Sequence, residues 1–136
     1  MSGSFEFSVH GDHVLITCAV TVSPEAAREL FATAPERVRS AGTDRVLIDM
    51  RGTAGEVTTT DRYFYAVDFA AAFRGLKVAV VQSEAFYDPR GFGQTVAANR
   101  GAHSRNFTSM DAARAWLLSD DDEDEDARLA DEAPSR

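Results

Sequence analysis

The chain has 136 residues, 44% hydrophobic and 26% charged, a length and balance that suit one globular domain and leave no room for two. Its formal net charge of −8 is concentrated at one end: residues 119–136 carry 9 acids against 2 arginines, while residues 1–118 carry 13 acids and 12 bases. A body so close to neutral is a poor electrostatic match for a phosphate backbone, which argues against a nucleic-acid partner.

The single Cys18 excludes an internal disulfide framework and a cysteine-built structural zinc site. No apolar run approaches the roughly 18 residues of a membrane-spanning helix; the longest are Ala70 to Phe73 and Val78 to Val81. Met1 to Glu6 has neither the basic nor the apolar region of a secretion signal. The expectation is a cytoplasmic protein without membrane insertion. The seven consecutive acids Asp120 to Asp126 repel one another and bury nothing, so the chain divides into a domain over residues 1–118 and an acidic, disordered tail over residues 119–136.

Phe5 to Ser8 and Val14 to Val22 read as strands joined by the turn His10-Gly11-Asp12-His13, an antiparallel hairpin. Ser23 then offers an N-cap, Pro24 takes a first-turn position and Glu25 favours the positive end of a helix dipole. Ala27, Leu30, Phe31, Ala34 and Val38 recur at offsets of three and four, an apolar stripe that carries this helix toward Gly42, with Pro35 expected to kink or split it. Arg45 to Met50 holds Val46-Leu47-Ile48, an apolar run suited to a strand covered on both faces. Thr58, Thr59 and Thr60 supply caps for a helix from about Asp61 to Arg74, closed by Gly75. Lys77 to Gln82 is a second buried strand. Helical character returns from Gln94 to Arg100, Asn106 to Thr108 is a short last strand, and Ser109 caps a helix ending at Leu118. The order β-β-α-β-α-β-α-β-α implies an α/β fold: one mixed sheet, antiparallel at its opening hairpin and parallel thereafter, packed with about four helices.

Three strings carry a resemblance. Val46-Leu47-Ile48-Asp49-Met50-Arg51-Gly52, then Gly75-Leu76-Lys77-Val78-Ala79-Val80-Val81, and the ending from Arg105 to Leu117 with its Phe107, Ser109, Ala113 and Trp116-Leu117 together resemble the STAS-like proteins related to bacterial anti-sigma-factor antagonists. The resemblance spans about residues 5–118. It implies a non-enzymatic regulatory module that binds another protein or, in some cases, a small apolar ligand. Antagonists of that family carry Asp-Ser-x-Gly at the start of the helix after the central strand, and its serine is their phosphorylation switch. This chain departs from the pattern, having Thr58-Thr59-Thr60-Asp61 there with neither the serine nor the glycine. Two roles are open to Thr58, Thr59 and Thr60: helix capping, or a phosphosite whose dianion would sit at the positive end of the helix dipole.

On that helix, about 100° per residue places Tyr63, Ala66, Val67, Ala70 and Phe73 on one face, assigned to the sheet. Tyr65 and Phe69 then fall outward beside Asp61 and Arg62, a pattern that suits contact with a protein partner. A helix rotated by about 40° would instead bury Phe69 in the core. The partner surface read from the sequence is therefore Thr58, Thr59, Thr60, Asp61, Arg62, Tyr65 and Phe69; a homodimer is compatible with it.

Other chemistry finds little support. His10 and His13 in the hairpin turn lack further ligands and read as surface histidines, so no metal or other cofactor is expected. His103 and Ser104 are adjacent, which is poor geometry for a nucleophile and its base, and no Gly-x-Ser-x-Gly elbow exists. Cys18 lies within an apolar strand, as a buried inert thiol does. Gly91-Phe92-Gly93 lacks the third glycine of a nucleotide-binding turn. Asp49 suits a structural role, accepting from loop amides past the central strand. No catalytic residue is assigned. The alternative to protein binding is a carrier for a small apolar, lipid-like ligand, with Phe64, Phe69, Phe73, Phe86, Tyr87 and Phe92 lining a cavity between helices and sheet.

Overall fold

A computed structural model describes residues 3–119; the acidic run read as a disordered tail lies outside the described residues from Asp120 onward. Strands β1 (Gly3–Val9) and β2 (Val14–Val20) form the opening hairpin, paired antiparallel from Gly3↔Val20 to Val9↔Val14. Strands β3 (Arg45–Asp49), β4 (Lys77–Val81) and β5 (His103–Phe107) extend the sheet in parallel from β2, giving the spatial order β1-β2-β3-β4-β5. Helices α1 (Pro24–Ser40), α2 (Thr59–Ala72) and α3 (Phe92–Asn99) are the successive crossovers, and α4 (Met110–Leu117) follows β5.

With sequential parallel strands, right-handed crossovers must all fall on one face of the sheet. The packing obeys that rule. Alternate residues Ile16, Cys18, Val46, Ile48, Val78 and Val80 join Leu30, Ala34, Val38 and Phe73 of the α1–α2 side in the larger core. The intervening residues Leu47, Ala79 and Val81 meet Ala113, Trp116 and Leu117 of α4 on the opposite face. This two-sided burial is why the central strands read as continuous apolar runs rather than alternating ones. Lys77 fastens α4 to the sheet: its Nζ donates to Trp116 O (2.9 Å) and Ser119 O (2.8 Å) and lies 4.6 Å from the Trp116 ring centroid.

The element order expected from the sequence is the observed one; the departures are local. Helix α1 runs unbroken through Pro35. Helix α2 starts at Thr59, its first-turn amide at Asp61 donating to Thr58 Oγ1 (3.0 Å). Helix α3 starts two residues before Gln94, because Gly91 takes the left-handed conformation (φ 66°) that turns the chain into it. Strand β5 begins at His103 rather than Asn106. Among the described residues no helix is long and apolar enough to cross a membrane.

Candidate functional site

Beyond the C-terminal ends of β2, β3 and β4, helices α1, α2 and α3 do not close completely on the sheet. They leave a cavity of about 200 Å3. Its floor is Cys18, Val20, Ile48 and Val80; its walls are Ala26 and Leu30 of α1, Ala66 and Phe69 of α2, and Ala97 of α3. Small residues on all three helices are the local cause of the space: a methyl group stands where a longer side chain would reach the sheet. Parallel α/β sheets place ligand sites at this end of their strands, usually where strand order reverses. Here the order never reverses, and the void lies between helices and sheet instead.

Polar groups are interspersed in the lining. Gln82 follows β4, Thr53 follows β3, and Gln94, Ser104 and Asn106 complete the wall toward the β5 edge. Gln94 Oε1 accepts from the Asn106 amide at 2.8 Å, tying α3 to that edge. Arg62 donates through Nη2 to Phe86 O at 3.0 Å and so clamps the loop between β4 and α3 across the helix side. Asp88 fixes the same loop, accepting from the amides of Arg90 (3.0 Å) and Phe92 (3.1 Å), bonds that hold its carboxyl below the ordinary carboxylate range. Thr53 is only 7% exposed, yet its Oγ1 has no hydrogen-bond partner, and neither has the buried Gln82 Oε1.

Two lining groups hold their protons more firmly than usual. Burial, reinforced by the charge of Asp49, pushes the Cys18 thiol up to about 12, so at neutral pH it is a protonated wall group. Burial followed by the charges of Asp61 and Glu25 raises the Tyr65 phenol. Asp49 itself lies below its usual range, chiefly because Arg51 donates to it through Nε and Nη2, both at 2.9 Å; it also accepts from the Arg51 amide at 3.1 Å, the loop-amide role read from the sequence.

The partner surface read from the sequence is divided by this geometry. Thr58 is spent on the cap; Thr59, Thr60 and Asp61 are exposed; Arg62, Tyr65 and Phe69 line the cavity. The outward assignment of Tyr65 and Phe69 is therefore corrected: Phe69 packs edge-on to Phe31 (centroids 6.3 Å apart) and against Phe73 (4.8 Å), while Tyr63, assigned inward, is 37% exposed. A helix apolar on nearly every side has a weak moment, and the Phe31–Phe69–Phe73 cluster decides its rotation. The exposed aromatics of α2 are Tyr63 and Phe64, in edge contact at 5.3 Å, with Arg100 donating to the Tyr63 hydroxyl at 3.0 Å.

Of the six aromatics expected around a cavity, Phe69 and Phe86 line it; Phe73 is core, Tyr87 is half-buried outside the lining, and Phe64 and Phe92 are 58% and 37% exposed. The expectation that both turn histidines lie at the surface also needs correction. His13 is 4% exposed, stacked 4.9 Å from His10, with Nδ1 2.7 Å from Asp12 Oδ1. Thr53 and Gln82 were not singled out from the sequence; Gln82 left the signal of a polar residue directly after an apolar strand, and Thr53 left none. Among the described residues no three His, Cys, Asp or Glu side chains converge as a metal site would require.

No family model and no curated protein matches the chain significantly. A solved structure does: an uncharacterised protein of the DUF3478 family from Shewanella loihica PV-4, 16% identical, aligned over 87% of this chain and 96% of that one with a TM-score of 0.51, described as having a SpoIIAA-like fold. The chain has a SpoIIAA-like fold. That is the fold of the anti-sigma-factor antagonists and STAS domains, in agreement with the resemblance carried by the three sequence strings. Within the SpoIIAA-like fold the cavity lies beside the start of α2, the helix on which the resemblance places the antagonists' serine.

Proposed function

We propose that this SpoIIAA-like module binds a small, mostly apolar ligand in the cavity between α1, α2, α3 and the sheet, without performing chemistry on it. The observation that carries the reading is a space of about 200 Å3 lined mostly by apolar side chains, with a minority of polar ones among them. A dry cavity of about 150 Å3 suffices for benzene, so this one suits a ligand of about eight to ten heavy atoms. Cohesion of a well-packed core favours closing such a space, and a void retained next to buried polar groups suits occupancy. The protonated Cys18 thiol on the floor is no nucleophile at neutral pH, in keeping with binding rather than catalysis. Native mass spectrometry of freshly purified protein tests the reading: a retained small molecule lost on mild unfolding supports it. Absence of one, together with no uptake of 1-octanol or of its ether isomer heptyl methyl ether by calorimetry, refutes it.

A second reading is a regulatory module for a protein partner, favoured by the exposed Tyr63–Phe64 pair beside the exposed Thr59 and Thr60 at the start of α2. Phosphorylation of either threonine would put a dianion at the positive end of α2 and next to that aromatic surface. Intact-mass measurement on protein from its native host reads this directly. A phosphorylated fraction mapped to Thr59 or Thr60, with partner capture lost in Phe64→Ser, supports the regulatory reading; no such fraction under any growth condition and capture indifferent to Phe64 count against it.

A further inference from the structure

The two edges of the sheet are finished differently. At β5 the outward amide of Asn106 is taken by Gln94 Oε1 at 2.8 Å, and α3 lies alongside. At β1 the hairpin itself settles which backbone groups stay open. His10 N donates to His13 O at 2.9 Å, closing the turn, and on the far side of β2 Val20 O accepts from Ala54 N at 2.9 Å. Backbone groups alternate in direction along a strand, so Leu15, Thr17 and Ala19 bond toward β1, opposite Ser8, Glu6 and Ser4. The N–H and C=O groups of Gly3, Phe5, Phe7 and Val9 therefore point away from the sheet. An edge left in this condition invites another strand unless it is short, bulged, or interrupted by proline or lysine. Strand β1 is seven residues long, pairs one-to-one without a bulge, and holds neither proline nor lysine; Glu6 is its single charge. We infer that β1 pairs antiparallel with β1 of a second copy of this chain, Phe7 opposite Phe7 on a two-fold axis, which joins two five-stranded sheets into one.

The residues of β1 match themselves in that register and not in its neighbours. With the axis at Phe7, Phe7 faces its own copy and Phe5 faces Val9 on both sides, three pairs that exchange two hydrogen bonds each. Val9, at 66% the most exposed large hydrophobic among the described residues, is covered by Phe5 of the other copy, and Glu6 meets Ser8. An axis at Glu6 would bring two carboxylates face to face at the close, non-hydrogen-bonded spacing. An axis at Phe5 sets Gly3 against Phe7 and leaves Val9 uncovered, while one at Ser8 loses a third of the hydrogen bonds. Pairing consumes the open edge of each copy, so the assembly closes as a dimer.

Sedimentation velocity of the full chain, across micromolar to millimolar concentration and in salt that screens the −8 charge of each copy, should show a monomer–dimer equilibrium. Val9→Pro removes an outward donor and no bond to β2, so its circular dichroism should match wild type while dimerisation weakens about tenfold or more, the worth of the two symmetry-related bonds. Cross-linking reads the register whether or not that variant folds. In the Phe7 register Glu6 and Ser8 of different copies face each other with Cα atoms about 4.5 Å apart, within disulfide range. Under mild oxidation an equimolar mixture of the Glu6→Cys and Ser8→Cys proteins should give a covalent dimer, and neither protein alone should; Cys18 is buried and does not compete. A monomer at every concentration overturns the inference. So does a dimer whose affinity a folded Val9→Pro leaves unchanged, and so does cross-linking that is absent from the mixture or stronger in either single protein.

Discussion

Filling the cavity should stabilise the protein and abolish ligand binding at once. Ala26 is the best place to do so: it is 4% exposed, lies in the first turn of α1 and faces the space, yet belongs to none of the three packed core clusters. Ala26→Leu adds three carbons that a cavity of about 200 Å3 can take without displacing a neighbour. At about 0.8 kcal/mol per buried carbon the gain is about 2.4 kcal/mol; ordering the longer side chain returns about 0.5 to 1 kcal/mol. The net is about 1.5 kcal/mol, or about 6 °C in Tm for a body of this size. Leucine has better helix propensity than most residues, so α1 itself loses little. The same three carbons occupy about a third of the space available to a ligand and should weaken 1-octanol binding more than tenfold. Thermal and denaturant unfolding followed by circular dichroism give the first quantity and calorimetry the second. Ala32→Leu, on the exposed side of α1, is the control and should move neither by much. A loss of more than about 1 kcal/mol in Ala26→Leu would mean that the added carbons overpack the site and that no such space exists. A gain in stability with 1-octanol binding unchanged would place the ligand elsewhere.

Two further outcomes follow from single side chains. Cys18 ionises near 9.0 when unfolded but near 12 when folded, because burial first and Asp49 second penalise the thiolate, so the folded state holds the proton longer. Stability is therefore unaffected by this group below pH 9 and falls as pH rises through the window to 12, by about 1.4 kcal/mol per unit. Relative to wild type, Cys18→Ala should gain about that much for each unit between pH 9 and 11 in urea unfolding; parallel stability curves would refute the assignment. Lys77→Met removes two hydrogen bonds to the end of α4 and the cation over Trp116 while keeping the aliphatic stem. It should cost about 1 to 3 kcal/mol and shift the Trp116 fluorescence, and an unchanged spectrum with unchanged stability would show that α4 is held by its apolar face alone.

Several levels of this fold were legible in the chain itself, and each had a local cause. Val46-Leu47-Ile48 and Val78-Ala79-Val80-Val81 announce strands covered on both faces, and the helices α1 and α4 delivered that cover on opposite sides. Ser23, Thr58 and Ser109 announce helix starts, and each side chain accepts from the amide three residues on. Alternation, caps and glycine stops act between residues a few positions apart, so one segment suffices to read them.

The cavity is different in kind. It is a mismatch of volumes among residues as distant as Phe5, Ala26, Gln82 and Ala97, and nothing within any one segment registers a space that only their meeting leaves behind. The rotation of α2 belongs to the same class. With aromatics on nearly every side, its own pattern could not choose between Tyr63 and Phe69, and the rings of Phe31 and Phe73 chose Phe69. Burial of His13 likewise depends on a stacked neighbour and an adjacent carboxylate rather than on hydrophobicity. Sequence by itself determined which segments are strands and helices and in what order they follow along the chain, because those choices are governed by near neighbours. Tertiary structure alone decided which side chains face the empty space and which polar atoms lack a partner, because packing density and hydrogen-bond satisfaction are properties of the assembled molecule.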